Sequence, residues 1–138
     1  MLFAGGCKQD EAVVPASLQN SKLLGKWYLV SLQISTITGT DAPVEGDPIP
    51  FESDKNYFIF NDNNEATFSS SIYARVFKGY YSSNSTSNPK TLKFKSGDLL
   101  LNYVLEIIDD QTLVVTESTS STIAGEITTT LKRYTYSR

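Results

Sequence analysis

The sequence contains no histidine and a single cysteine among its 138 residues. Without imidazole, a Ser-His-Asp triad, a histidine zinc site and a general base with an unperturbed pKa near neutrality are excluded. One cysteine excludes a disulfide within the chain and a thiolate metal cluster. Paired carboxylates such as Asp109 and Asp110 lie in turn-like sequence, where local hydrogen bonds explain them. We therefore expect no enzymatic activity, no cofactor and no metal site.

Long hydrophobic runs and an excess of positive charge are also missing. No stretch approaches the roughly 20 apolar residues of a helix that crosses a bilayer. The net charge of -3 gives no electrostatic case for binding nucleic acid. With 40% hydrophobic residues, a chain of this length suits one folded domain with a sizeable core.

The only tryptophan stands in the segment Leu24-Gly25-Lys26-Trp27-Tyr28-Leu29, at the start of the first β-like run. Glycine permits a tight entry into a strand, and tryptophan supplies a large apolar plate for one end of a core. This Gly-x-Trp pattern resembles the signature of lipocalins and of short bacterial lipocalin-like domains. The alternative, in which Trp27 is an ordinary core aromatic of another β-fold, stays open.

The resemblance also implies how a barrel would close. In lipocalins a basic residue late in the chain packs across the signature tryptophan, and by resemblance Arg133 takes that part. Gly25, Trp27 and Arg133 are therefore the predicted closure residues. The alternative is that Arg133 is a solvated residue at an edge.

The N-terminal segment Leu2-Phe3-Ala4-Gly5-Gly6-Cys7 resembles a lipobox, and Lys8-Gln9-Asp10-Glu11 resembles an export signal of some Gram-negative lipoproteins. The resemblance implies lipidation of Cys7, a membrane anchor there, and location at the outer membrane or cell surface. Residues 1–21 would be a truncated signal and tether, and residues 22–138 the domain. Only six residues precede Cys7, fewer than a complete signal peptide needs. A free cytosolic thiol is the alternative.

Alternation of apolar and polar residues predicts about eight strands and no helix. The predicted strands cover residues 24–35, 55–61, 65–71, 72–81, 91–95, 99–108, 112–118 and 126–136. Short turns between most of them favour an all-β, antiparallel up-and-down barrel, lipocalin-like by resemblance. A β-sandwich is the alternative. The breaker-rich residues 36–53 form a long loop, which the resemblance places over the open mouth as a lid.

Strand alternation also predicts which side chains point into the barrel. The predicted interior residues are Trp27, Leu29, Tyr57, Ile59, Phe68, Tyr73, Phe77, Leu92, Phe94, Leu101, Tyr103, Leu105, Val115, Ile127 and Leu131. Arg75, if it points inward beside Tyr73 and Phe77, would bind an acidic group. The predicted ligand-binding residues are therefore Arg75, Tyr57, Tyr73, Phe77, Leu101 and Tyr103.

Two functions remain open on this sequence. The first is binding of a small, mostly apolar molecule in the mouth of the barrel. The second is a structural or protein-interaction module with a filled barrel, in which Tyr80, Tyr81, Tyr134 or Tyr136 forms the partner surface. An apolar cavity of about 300 Å³ or more beneath the long loop would favour the first function.

Overall fold

The computed structural model describes residues 21–84, 86 and 89–138. A 3-10 turn, Ser21–Leu23, precedes ten strands in the described part of the chain. The strands are β1 (Gly25–Thr38), β2 (Val44–Glu45), β3 (Ile49–Pro50), β4 (Tyr57–Phe60), β5 (Glu65–Ser70), β6 (Arg75–Asn84), β7 (Thr91–Ser96), β8 (Leu99–Ile108), β9 (Thr112–Ile123) and β10 (Glu126–Ser137). The predicted lipidation site Cys7 and its tether lie outside the described residues, and the domain boundary at residue 22 stays a prediction.

Eight of these strands form a closed, antiparallel up-and-down barrel. Each strand from β4 to β9 pairs with the next strand in the chain, and β1 pairs with β4 on one side. The ring closes where β1 pairs with β10, from Tyr28 opposite Ser137 to Thr38 opposite Thr128. This confirms the predicted fold class, because a β-sandwich has no such closure. Closure also removes most of the exposed strand edges that invite aggregation.

The long loop does not act as predicted. Its two short strands, β2 and β3, pair with the same edge of β1 as β4 does, further along that strand. Glu45 lies opposite Ser35, and Ile49 lies opposite Leu32. None of residues 36–53 lines the cavity at the mouth. The loop therefore extends the barrel wall instead of covering the mouth.

Aromatic side chains fill the barrel around Phe58. Its ring centroid lies 4.9 Å from that of Phe60, 4.6 Å from Phe68, and 5.7 Å from both Phe94 and Tyr136. The buried core comprises Leu23, Trp27, Leu29, Phe58, Phe60, Ala66, Phe68, Phe77, Tyr81, Leu92, Phe94, Leu101, Tyr103, Leu105, Leu113, Val115 and Tyr136. An eight-stranded barrel is just wide enough for side chains to fill, and here they do.

Strand β4 presents the opposite face from the one predicted. Phe58 and Phe60 are buried inside, whereas Tyr57 and Ile59 are half-buried on the outer wall. Both faces of this four-residue strand are hydrophobic, so alternation alone does not choose between them. Ile59 is therefore outside the predicted interior, and the predicted ligand-binding residue Tyr57 lies on the outer wall.

Two β-bulges interrupt the alternation of buried and exposed residues along the strands. An extra residue at Val30 in β1 shifts the register, so that Leu32 is buried. A second bulge, at Glu106 in β8, turns Ile107 outward, where 48% of its surface is exposed. Ile127, predicted inside, is 58% exposed on β10.

The two ends of the barrel differ. At the closed end lie Trp27 and the turns at residues 61–64 and 109–111. At the other end, the mouth, strands β1, β9 and β10 continue past β8, which pairs with β9 only as far as Thr116. We call this extension, residues 31–38, 117–123 and 126–133, the ribbon.

Candidate binding surfaces

The mouth of the barrel encloses a cavity of only about 20 Å³. This is room for about one water molecule. Three predicted ligand-binding residues line it, Tyr73, Leu101 and Tyr103, and Phe77 is buried beside them. The cavity is far below the volume of about 300 Å³ that a small-molecule site needs.

Tyrosines make this cavity polar. The Tyr134 hydroxyl donates to Glu117 Oε1 at 2.9 Å. The hydroxyls of Tyr103 and Tyr136 make no hydrogen bond to any described residue, although both side chains are buried. Burial raises the pKa of Tyr103, Tyr134 and Tyr136 above the ordinary value, and the nearby Glu117 carboxylate adds to each shift. A bound water would satisfy the two unpaired hydroxyls.

Tyr73 caps the mouth from a turn between β5 and β6. It is 47% exposed, and its ring meets that of Phe77 edge-on with 5.6 Å between centroids. Asn56 supports the turn, since its Oδ1 accepts hydrogen bonds from the backbone N–H and the hydroxyl of Ser71. Ala74 has a φ of 57°, in the left-handed region, which is unfavourable for a residue other than glycine. Tyr73 is thus a rim residue and not an interior one.

The charged residue predicted beside Tyr73 also lies at the rim. Arg75 is exposed, and its guanidinium sits 4.5 Å from the centroid of the Phe77 ring. Tyr57 is on the outer wall, where Lys26 Nζ lies 4.2 Å from its ring centroid. Arg75 and Tyr57 line one outer groove of about 460 Å³, which is separate from the cavity lined by Leu101 and Tyr103.

The closed end uses a different arginine from the one predicted. Arg138 stacks on Trp27, with its guanidinium carbon 4.0 Å from the ring centroid. The guanidinium donates to the carbonyls of Leu24, Lys22 and Asp110. Arg133 is exposed, opposite Gln33 of β1, and Arg138 occupies the place over Trp27 that the resemblance gives to Arg133.

Gly25 makes that stacking sterically feasible. Its φ of 111° belongs to the left-handed region, and an added Cβ would lie 3.3 Å from Arg138 Nη1. The fully buried Trp27 donates from its indole nitrogen to the Leu23 carbonyl at 2.8 Å. Gly25, Trp27 and Arg138 together seal this end.

A large concave surface lies on the outer wall. A groove of about 470 Å³ spans β6, β7 and β8 beside the β4–β5 turn. Its lining is Asn63, Asn64, Tyr80, Tyr81, Ser82, Lys93, Phe94, Lys95 and Leu100. Tyr80 is 65% exposed and Leu100 is 55% exposed, whereas Tyr81 is buried. We call this the wall groove.

Strand pairing arranges the wall groove. Tyr80 lies directly opposite Lys95, and Lys95 opposite Leu100, so the ammonium side chain stands between two apolar ones. Lys93 lies two residues before Lys95 on the same face. Neither lysine forms an ion pair with a described residue.

Charge is unevenly distributed along the sequence. Residues 66–97 include five basic residues and no acidic one: Arg75, Lys78, Lys90, Lys93 and Lys95. Residues 27–54 include five acidic residues and no basic one: Asp41, Glu45, Asp47, Glu52 and Asp54. In the order of the barrel, β7 is four strands from β1 in either direction, so these segments lie on opposite walls. This uneven distribution is a signal in the sequence that could have pointed to the side of the barrel with Lys93 and Lys95, although it does not by itself place them beside Tyr80.

Comparison with models of known protein families finds no match, and comparison with curated proteins finds none either. The barrel architecture is compatible with a lipocalin-like fold. Across the described ranges, no helix is long and apolar enough to span a membrane. Those ranges also contain no group of three or more acidic or cysteine residues placed to hold a metal ion.

Proposed function

We propose that the domain is a non-catalytic interaction module, in which a filled barrel presents the wall groove to an acidic protein partner. The observation that carries this proposal is the contrast in available space. The interior offers about 20 Å³ and the wall groove about 470 Å³. A binding function for this chain therefore has more room outside the barrel than inside it.

The composition of the wall groove supports a protein partner. Tyrosine is enriched where binding energy concentrates in protein interfaces, and the exposed Tyr80 and Leu100 offer an apolar contact of that kind. Lys93 and Lys95 beside them supply positive charge that no described carboxylate neutralises in an ion pair. We infer that the partner presents an apolar side chain flanked by carboxylates, because opposite charges steer association and set specificity.

A defined probe tests this proposal. A short peptide with a central leucine between aspartates and glutamates is titrated into the ¹⁵N-labelled protein, and amide shifts are followed by NMR. We expect shifts at Tyr80, Lys93, Lys95 and Leu100, and weaker binding at higher ionic strength. The matched peptide, with asparagine and glutamine in place of the acids, should bind at least about tenfold more weakly.

Two double variants distinguish binding at the wall groove from non-specific attraction to positive charge. Lys93→Ala with Lys95→Ala should abolish the shifts, whereas Lys26→Ala with Lys132→Ala removes the same charge elsewhere and should preserve them. Equal binding of the acidic and amide peptides would reject the proposal. Shifts confined to Tyr73, Leu101 and Tyr103 would transfer the binding site to the mouth.

Membrane attachment forms part of the proposal. We propose that the chain is a lipoprotein of the outer membrane or cell surface of a Gram-negative bacterium, anchored through Cys7. The support is the lipobox-like segment and the lysine and acidic residues after it. Radiolabelled fatty acid should be incorporated by the natural protein and not by Cys7→Ala; equal labelling would reject the anchor.

A second candidate function is binding of a small, mostly apolar ligand at the mouth of a lipocalin-like barrel. It is supported by two buried tyrosine hydroxyls, those of Tyr103 and Tyr136, which have no hydrogen-bond partner in the described part of the chain and lie beneath the exposed ring of Tyr73. Such a ligand would have to displace Tyr73. Native mass spectrometry of protein from cells should then detect a retained molecule; an unmodified mass would count against this function.

A further inference from the structure

Strand β9 has an unpaired edge where it enters the ribbon. It pairs with β8 only between residues 113 and 116, whereas its pairing with β10 continues to Ile123. Along residues 117–123, no described strand pairs with β9 on the side away from β10. The backbone N–H and C=O groups that point to that side are therefore available to another strand.

This edge lacks the features that usually prevent strand addition. Natural proteins protect such edges with lysine, proline, a bulge or a covering segment. Residues 118–123 read Ser-Thr-Ser-Ser-Thr-Ile, are uncharged and contain no proline. All six are exposed. On the other side of the ribbon, β2 and β3 cover the edge of β1, so the two edges are treated differently.

We propose that this edge of β9 pairs with the same edge of a second copy of the chain, antiparallel across a two-fold axis at Ser120. In an antiparallel ladder, two residues directly opposite each other are either both hydrogen-bonded or both non-hydrogen-bonded. The two-fold axis therefore passes midway between one residue and its own copy. With Ser120 on the axis, Thr119 lies opposite Ser121, and Ser118 opposite Thr122. The two ribbons then form one continuous sheet.

The chemistry of the edge fits a copy of itself better than another strand. Cross-strand pairs of serine and threonine are favourable, and this register supplies them along the whole contact. Glu117 falls opposite Ile123 and not opposite its own equivalent, so like charges are kept apart. A two-fold interface uses the same patch on both molecules, and an uncharged edge is complementary to itself.

Sedimentation analysis of the full chain, carrying Cys7→Ser to exclude lipid and thiol effects, tests the oligomeric state. We expect a concentration-dependent dimer. Ser120→Lys places two like charges opposite each other and should raise the dimer Kd by about tenfold or more. Thr129→Lys, on β10 directly opposite Ser120 within one chain, is the matched control and should leave the dimer intact. Circular dichroism of both variants verifies that each is folded.

A cross-link tests the register. In the same background, Ser120→Cys should form an intermolecular disulfide readily, because directly paired residues bring their Cβ atoms within about 4.5–5.5 Å. Glu126→Cys, at the hairpin end, should cross-link much less. A protein that stays monomeric at every concentration overturns the proposal. So does a dimer that persists in folded Ser120→Lys or that fails to cross-link at Ser120→Cys.

Discussion

The closed end and the ribbon are built from the same three strands but by different means. At the closed end, β1 and β10 contribute Trp27 and Tyr136, both fully buried, and Arg138 covers the indole. In the ribbon, the same strands carry mainly threonine and serine, and much of β9 is exposed on both faces. Side chains therefore fix the closed end, whereas backbone pairing holds the ribbon.

The difference shows that one part of a long strand can stabilise the core while its extension beyond the core forms an exposed surface. Burial of large apolar side chains supplies most of the stability of a domain, and here that burial is concentrated below the ribbon. A two-sided polar strand contributes little burial and specifies its register weakly. The ribbon can accordingly vary in sequence, or serve a contact, without affecting closure of the barrel.

The largest expected effect is at the centre of the core. Phe58→Ala should lower the free energy of unfolding by about 3–5 kcal/mol, because a cavity replaces a ring packed against four others. Tyr57→Ala, one residue earlier on the outer wall, is the control and should cost about 1 kcal/mol. Urea unfolding followed by far-ultraviolet circular dichroism measures both. Equal losses would mean that the inner and outer faces of β4 are not distinguished.

Loss of the arginine at the closed end should have a smaller effect. Arg138→Ala removes the stacking on Trp27 and the bonds to three carbonyls, and should cost about 2 kcal/mol. Arg133→Ala should change stability by less than about 0.5 kcal/mol. A double-mutant cycle with Trp27→Phe should give a coupling energy of about 0.5–1 kcal/mol for Arg138 and none for Arg133. The reverse assignment would restore Arg133 as the closure residue.

The next effect depends on pH. Tyr81 donates to the Asn61 carbonyl at 2.7 Å, and burial raises its pKa to about 12. Since the unfolded value is about 10, the unfolded chain ionises first, and stability from this group is lost as pH rises from about 10 to 12. Tyr81→Phe should cost about 1 kcal/mol at neutral pH and make that decline shallower. An unchanged decline in urea midpoints over this range would exclude Tyr81 as a contributor.

The smallest effect is expected in the ribbon. Thr129 and Ser120 share a hydroxyl hydrogen bond of 2.9 Å on an exposed face. Thr129→Ala should change stability by less than about 0.5 kcal/mol, because water replaces the lost bond. Scanning calorimetry measures the change. A loss as large as that of Arg138→Ala would mean that the ribbon contributes to folding as much as the closed end does.

Alternation and turn residues were sufficient to predict the barrel. Eight strands, their order and most boundaries follow from apolar periodicity between clusters of glycine, asparagine and aspartate. The prediction of which face points inward was wrong where a strand has no polar residue to mark its outer face, as in Tyr57–Phe60, where every residue is hydrophobic. The bulges at Val30 and Glu106 were not predicted, and the buried Leu32 was missed because an inserted residue reverses the alternation.

The candidate sites were harder to predict because they depend on positions across strands. The interior volume follows from the β4 face: with Phe58 and Phe60 inside, the predicted cavity is filled. Arg138 lies five residues beyond the predicted Arg133, and only the tertiary structure brings it over Trp27. Tyr80 was anticipated as a surface tyrosine, but its lysine neighbours become apparent only from the register of β6, β7 and β8.

The position of the single tryptophan also determines which structural changes intrinsic fluorescence can detect in this protein. Trp27 is completely buried beneath a cation at the closed end. Its fluorescence will therefore register the rupture of that end and stay constant while the ribbon opens or binds. A spectroscopic unfolding curve for this chain is a local signal, and events at the mouth need a second fluorophore of their own.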